Sequence, residues 1–265
     1  MFIHNLDPVF VDLGIISIRW YSLAYIVGIL SGWWLGKKII YFRKSNSNVS
    51  FNLKEFDDLI TWLIISIIIG GRFGYILFYN FNYYIEFPLE VLKIWQGGMS
   101  FHGALIAVIV TTCHFSIKKG LKPFFLLDVI ACVAPIGLFF GRIANFINGE
   151  LFGKPTDIYW SVIFPEQDKL PRHPSQIYEA LLEGLILFVV LNLLILKKKY
   201  RMGLCSILFL ILYGLFRIFS EFFREPDAQI GYIFNFLSMG TFLSIIMIFV
   251  GIILLMKNNK NEFNK

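Results

Sequence analysis

Apolar residues in this chain run in blocks rather than alternating with polar ones. Seven blocks stand out, at roughly 15–36, 59–79, 101–117, 124–147, 176–196, 203–222 and 233–256. Most approach the ~20 residues that a helix needs to cross a bilayer. The pattern predicts an all-α polytopic membrane protein of about seven transmembrane helices, read as a single integral membrane domain over residues 1–265. The longest polar excursion, 148–175, carries Pro155, Pro165, Pro171 and Pro174. It predicts a small extracytoplasmic cap, with a hairpin in Ile158–Phe164. The connection 80–100 is too apolar for a bare turn, and Leu89, Val91, Leu92, Ile94 and Trp95 after Pro88 predict a short helix lying in the membrane interface.

Composition agrees with the pattern. The 265 residues are 57% hydrophobic and 18% aromatic, with a mean hydropathy of +0.68, well beyond the range of a soluble domain. The net charge of +6 does not point to nucleic acid, because the basic residues flank apolar blocks. Outside the spans, fifteen Lys and Arg fall in connections 37–58, 117–123, 197–202 and 257–265, against five on the alternate side. That asymmetry predicts a cytoplasmic C-terminus and an outer N-terminus. The opening stretch has no positive n-region, so no cleaved signal peptide is expected. Cys113, Cys132 and Cys205 lie within apolar blocks without a CxxC pair, and the four histidines lack ligand spacing. Neither a disulfide framework, a metal site nor a cofactor is expected.

Polar residues inside the blocks are the candidates for chemistry, since buried charge in a membrane requires a partner. Arg142 and Asn145 share a helix face at the end of the fourth block, and Asn148-Gly149 then ends the helix and presents Glu150. Arg142 there either meets a polar ligand, pairs with another buried charge or snorkels to the interface. Gln176, Glu179 and Glu183 form one polar stripe, and Tyr213, Arg217 and Glu221 another, so mutual ion pairing is the alternative to ligand binding. Arg72, Tyr75 and Tyr79 form a third, which either lines a polar cavity or pairs internally. Gly97-Gly98-Met99-Ser100-Phe101-His102-Gly103 predicts irregular backbone at membrane depth, tolerated where it is buried in protein or lines a wet cavity. His102 there is either a general base or a structural residue. Its surroundings miss the G-x-S-x-G elbow, because His102 stands where the second glycine belongs. Gly28, Gly32 and Gly36 make a close-packing ridge. Tyr21 and Tyr25 share another face, where a tyrosine suits the interfacial belt.

Residues 141–153, GRIANFINGELFG, resemble the signature of the bacterial prolipoprotein diacylglyceryl transferases. The blocks ISIRWYSLAYIVGILSGWWLG (16–36), GGRFGYILFYN (70–80), GGMSFHGAL (97–105), RHPSQIYEALLEG (172–184) and YGLFRIFSEFFREPDAQ (213–229) extend the resemblance over nearly the whole chain. It implies transfer of the diacylglyceryl group of phosphatidylglycerol to the lipobox cysteine of a prolipoprotein, with a thioether formed and glycerol phosphate released. It further implies a bacterial cytoplasmic (inner) membrane, surrounded by membrane lipids. The functional residues it implies are Tyr21, His102, Arg142, Asn145, Glu150, Gly153, Tyr213 and Arg217. Ser22 stands where the family usually has glycine, and the connection at 154–172 is short. From the chemistry of such a transfer, His102, Arg142 and Arg217 are the catalytic candidates, since a thiol must lose a proton and a departing phosphate must be stabilised. Tyr21, Asn145, Glu150, Gly153 and Tyr213 are the substrate-binding candidates. A lipid or anion transporter would also use intramembrane arginines, but no internal repeat supports it. A non-catalytic receptor would have no use for clustered phosphate ligands.

Overall fold

The computed structural model describes residues 1–14, 17–46, 52–226, 231 and 237–263. Its principal helices are α1 (Trp20–Asn46), α2 (Leu53–Tyr79), α4 (Phe101–Lys118), α5 (Pro123–Ile147), α8 (Leu204–Glu221) and α9 (Met239–Phe263). A further one runs as α6 (Ser175–Glu179), a π-helical turn (Ala180–Ile186) and α7 (Leu187–Ile195). Seven helices are long and apolar enough to cross a membrane, ending with Met239–Asn259. The expected residues 15–16 and 233–236 of the first and last blocks lie outside the described residues.

Close approach between helices follows from the glycines. A Cβ on Gly28 would lie 3.0 Å from Gly137 Cα, which is why α1 packs along α5. A Cβ on Gly74 would lie 2.5 Å from Gly103 Cα, so α2 and α4 meet backbone to backbone. The core is filled by residues such as Phe56, Leu59, Leu126, Val129, Leu187 and Leu191, all fully buried. At one end of the bundle the basic connections gather. There Arg43 donates to the Lys197 carbonyl (3.0 Å), and Lys119 pairs with Glu55 (3.3 Å). The Asp128 carboxylate accepts from the amides of Gly203 (2.5 Å) and Ser206 (2.6 Å) and from the Tyr200 hydroxyl, so it caps the start of α8 from a neighbouring helix.

The other end carries the short strands. β1 (Phe2–Ile3) pairs in parallel with β4 (Val162–Ile163), which pairs antiparallel with β5 (Pro171–Arg172). β2 (Val9–Asp12) and β3 (Ser17–Arg19) make a separate ribbon. The hairpin expected within 158–164 is therefore corrected: Tyr159 and Trp160 form a turn, and only 162–163 pair, with partners at 2–3 and 171–172. Val162 in β4 and Phe164 just after it are buried, the latter against the rings of His4, Phe146 and Phe152.

Two expectations about 80–103 are also corrected. The interfacial helix is α3 (Phe81–Glu86) followed by two 3₁₀ turns, Pro88–Leu92 and Ile94–Gln96. Arg72 holds this stretch: its guanidinium takes the carbonyls of Glu90 (2.7 Å), Val91 (3.0 Å), Lys93 (3.2 Å), Gly97 (2.5 Å) and Gly98 (3.4 Å), and the Glu90 carbonyl also accepts from Lys93 N (3.1 Å) in a 3₁₀ turn. Leu89, Leu92 and Trp95 remain exposed as an apolar surface. The irregular backbone ends at Ser100, whose hydroxyl caps α4 by accepting from Gly103 N (3.3 Å). His102 and Gly103 thus lie in the first turn of a regular helix.

Candidate active site

On the strand-bearing end, α2, α4, α5, α8 and the start of α9 enclose a cavity of about 460 Å³. His102, Arg142, Glu150, Tyr213 and Arg217, five of the eight expected site residues, line it together. His102 arrives there because the Ser100 cap fixes the first turn of α4. It is 8% exposed, and among the described residues its Nε2 has no hydrogen-bond partner. Phe101 packs edge-on to its ring at 5.4 Å, and the same phenylalanine stacks on Tyr213 at 4.3 Å. Tyr213 is in turn stacked on Phe209, which holds its ring within the helix packing, and the residue lines the cavity.

Arg142 reaches the cavity from α5, five residues before that helix ends at Ile147. The chain then reverses through Gly149 (φ 65°) and Leu151 (φ 56°). Leu151 is a left-handed residue without glycine's freedom, a conformation that costs on the order of 1 kcal/mol or more. Surrounding bonds maintain it: the Ser175 hydroxyl donates to the Leu151 carbonyl (3.0 Å), and the Gln176 amide to the Glu150 carbonyl (2.7 Å). This reversal brings Glu150 back over the helix end, where Asn145 Nδ2 donates to its carboxylate at 2.7 Å. Asn145 itself is buried and acts on the cavity through Glu150.

The arginines meet carboxylates. Arg142 Nη2 donates to Glu183 Oε2 (3.1 Å), while its Nη1 lies 2.9 Å from Glu179 Oε2 in an ion contact without hydrogen-bond alignment. Arg217 Nη1 donates to Glu179 Oε1 (2.9 Å), and its Nη2 bonds Glu221. The ion pairing weighed from the sequence is therefore present, and both arginines also line the cavity. Each guanidinium has five N–H donors, more than these contacts engage.

Besides Asn145, two expected residues stand back from the cavity lining. Tyr21 packs against Tyr25 at 5.2 Å. Gly153 makes a backbone bridge to Arg224 and donates to the His173 carbonyl (3.0 Å); a Cβ there would lie 2.4 Å from that oxygen and 2.7 Å from Phe223 O. Its glycine is required by packing between three chain segments. Conversely, Arg224 and Gly240 line the cavity and were not singled out from the sequence. The one sequence signal for Arg224 was a spacing of three residues beyond Glu221; in the structure it lies past the end of α8, bridged to Gly153. Of the stripe on α2, Tyr75 and Tyr79 reach the cavity while Arg72 turns away to the 90–98 carbonyls.

The family model described as Prolipoprotein diacylglyceryl transferase matches residues 8–257. A protein of Ehrlichia ruminantium (strain Gardel), named phosphatidylglycerol–prolipoprotein diacylglyceryl transferase, is 48% identical over 255 residues, covering 95% of this chain and 96% of its own length. Proteins of the same name from Azospirillum brasilense and Rhodospirillum rubrum are 48% and 50% identical; each match covers 94% of this chain and 92% and 90% of theirs.

Proposed function

The chain belongs to the prolipoprotein diacylglyceryl transferase family, and we propose that the cavity at the strand-bearing end of its helices is where the transfer takes place. The reaction moves the diacylglyceryl group of phosphatidylglycerol onto the cysteine thiol of a prolipoprotein, forming a thioether and releasing glycerol phosphate. In this reading the sulfur attacks the glycerol carbon that carries the phosphate ester. The C–O bond breaks as the C–S bond forms, and the thiol proton ends on the released phosphate.

The observation that carries the assignment is the convergence of His102, Arg142 and Arg217 on one cavity, with the buried His102 Nε2 lacking a hydrogen-bond partner among the described residues. His102 accepts the thiol proton at whichever ring nitrogen carries no hydrogen and passes it to the released phosphate. Arg142 and Arg217 stabilise the departing phosphate with donors left over from their carboxylates, in a site whose low dielectric strengthens them. Tyr213 and Glu150, the latter aimed by Asn145, orient the head group. Tyr21, outside the lining, would donate a hydrogen bond to the head group.

The acceptor is the lipobox cysteine. The chain works as one membrane domain with 148–175 as its outer cap, in a bacterial cytoplasmic membrane with the N-terminus outside and the C-terminus in the cytoplasm. The basic asymmetry supports this orientation. So does the pairing of β1 with β4, which keeps the N-terminal segment and the 148–175 connection on one side of the bundle.

The test is to place the purified protein in vesicles containing phosphatidylglycerol and add a lipobox peptide. The expected product is a peptide heavier by one diacylglyceryl group, absent when its cysteine is serine. Lipid or anion flux without that adduct would overturn the reading.

A further inference from the structure

We infer that Glu179 is a positioning residue for this transfer, the one carboxylate that sets the mutual placement of the cavity's arginines. The inference rests on the reading of Arg142 and Arg217 as phosphate ligands. Glu179 ends α6 and is fully buried. Its Oε1 lies 2.9 Å from Arg217 Nη1 and 3.4 Å from Arg224 Nη1, and its Oε2 lies 2.9 Å from Arg142 Nη1. These three arginines come from three places in the chain: the end of α5, the last turns of α8 and the turn beyond it. A single carboxyl group therefore joins three segments that nothing in their local sequence would hold in register. Among the described residues, Glu183 meets Arg142 (3.1 Å) and Arg217 (3.7 Å), and Glu221 meets Arg217 on its own helix, with Arg224 and Ser238 also acting on it.

Local structure fixes where Glu179 sits. The helix widens into the π-turn Ala180–Ile186 directly after it, and such turns replace i→i+4 bonding by i→i+5. Gly184 within that turn rests on α5. A Cβ there would lie 2.8 Å from Phe139 Cα, three residues before Arg142. The carboxylates are thus seated against the helix that carries one of the arginines they hold.

Charge gives the arrangement its consequence. Arg142, Arg217 and Arg224 with Glu179, Glu183 and Glu221 sum to neutrality in a buried site. Without Glu179 the cluster would carry one excess positive charge and lose the carboxyl that ties Arg142, Arg217 and Arg224 together, so the guanidiniums would turn more readily toward an anion. Bound that way, they would attract the lipid phosphate well in the ground state and stabilise its departure poorly, because the donors would have to reorganise as charge develops.

The test is the steady-state kinetics of Glu179→Gln and Glu179→Asp, with phosphatidylglycerol varied by mole fraction and the folded fraction measured by thermal unfolding. Gln keeps the size and makes the site more positive by one charge. The expected result is a kcat at least about tenfold lower per folded enzyme, with KM for phosphatidylglycerol unchanged or lower. Asp keeps the charge on a shorter stem, so it lowers kcat without lowering KM. If Glu179→Gln loses activity only in proportion to folded protein, or raises KM at unchanged kcat, the inference is overturned. Should Glu179→Gln fail to fold, Glu179→Asp decides: a lowered kcat supports the inference and a wild-type kcat overturns it. Arg142→Lys and Arg217→Lys run alongside. Slow arginine variants beside a normal Glu179→Gln would sink this inference alone, whereas normal arginine variants would sink the reading on which it rests.

Discussion

Arg72 and Arg217 are the same residue type at nearly the same burial, 4% and 7% exposed, each on a membrane-spanning helix and each in a stripe with tyrosine. Their surroundings separate them. Arg72 meets the backbone carbonyls of one connection, which are neutral and cannot move without unfolding it. Arg217 meets the side chains of Glu179 and Glu221 on the wall of a cavity. A buried arginine ringed by carbonyls shapes the chain, while one balanced by carboxylates beside open space retains donors for a ligand. Burial and helix position alone do not distinguish the two.

The sharpest way to test that comparison begins at the residue opposite Arg217. His102→Asn keeps a polar side chain of similar reach but removes the basic nitrogen. It should leave a folded protein whose transfer rate, measured by peptide mass shift, falls ~10²–10⁴-fold, the usual contribution of a general base. Near-normal turnover would reduce His102 to a structural role.

Arg217→Lys and Arg142→Lys come next. Lysine keeps the charge and loses the planar fork. Each should slow transfer about 10²–10³-fold, roughly 3–4 kcal/mol at the transition state, at near-wild-type thermal stability. Arg72→Lys should do the reverse. It strands several carbonyls, at about 1–3 kcal/mol for each one left buried and unpaired. The expected readout is a lower unfolding temperature and faster hydrogen exchange across 88–98, with turnover per folded molecule changed less than tenfold. If Arg72→Lys were instead stable and slow, the comparison would fail.

The division between what the sequence revealed and what it concealed follows the same line. Seven spans were legible because membrane burial demands long apolar runs, and Arg142, Arg217 and Glu179 were legible because charge inside such runs is costly. Arg72 carried the identical signal, and its carbonyl partners could not be seen because any residue type supplies them. Gly153 was found only through a family motif, and its reason is the approach of His173 and Phe223, which are distant in sequence. Arg224 lay just past the end of a span, where charge is ordinary. The short strands were misplaced because β4 pairs with the N-terminal Phe2–Ile3, across a separation that no local pattern encodes.

Gly153→Ala carries the comparison to a residue that looks functional by motif and structural by contact. The added Cβ would lie 2.4 Å from His173 O and 2.5 Å from His173 Cβ, so backbone must shift. A loss of about 1–3 kcal/mol in stability is expected. Transfer should fall with the folded fraction and recover when that fraction is corrected for. A stable but inactive Gly153→Ala would place the glycine in contact with substrate.

The smallest effect concerns an arginine that belongs to both classes. Arg172 donates to the Gly153 carbonyl (2.9 Å), as Arg72 does to its carbonyls, and pairs with Asp168 (2.6 Å) and Glu225 (3.1 Å), as Arg217 does with its carboxylates. It sits in β5, outside the spans. Hydrogen bonds from Arg172 hold the Asp168 carboxyl below its usual value. A carboxylate with a lowered folded pKa contributes stability that is complete above its unfolded pKa, near 4, and disappears as pH falls through the folded value. Neighbouring His173 acts earlier: burial lowers its pKa, so the unfolded chain binds that proton more readily, and stability begins to fall once pH drops below about 6.5. Proteolysis within 154–170 should therefore rise in two steps on acidification. Because Asp168 is partly exposed, its step should not exceed ~1 kcal/mol. Asp168→Asn should remove the lower step and leave the upper one; loss of both steps in that variant would show that Asp168 and His173 titrate as one unit and not as separate supports of the connection.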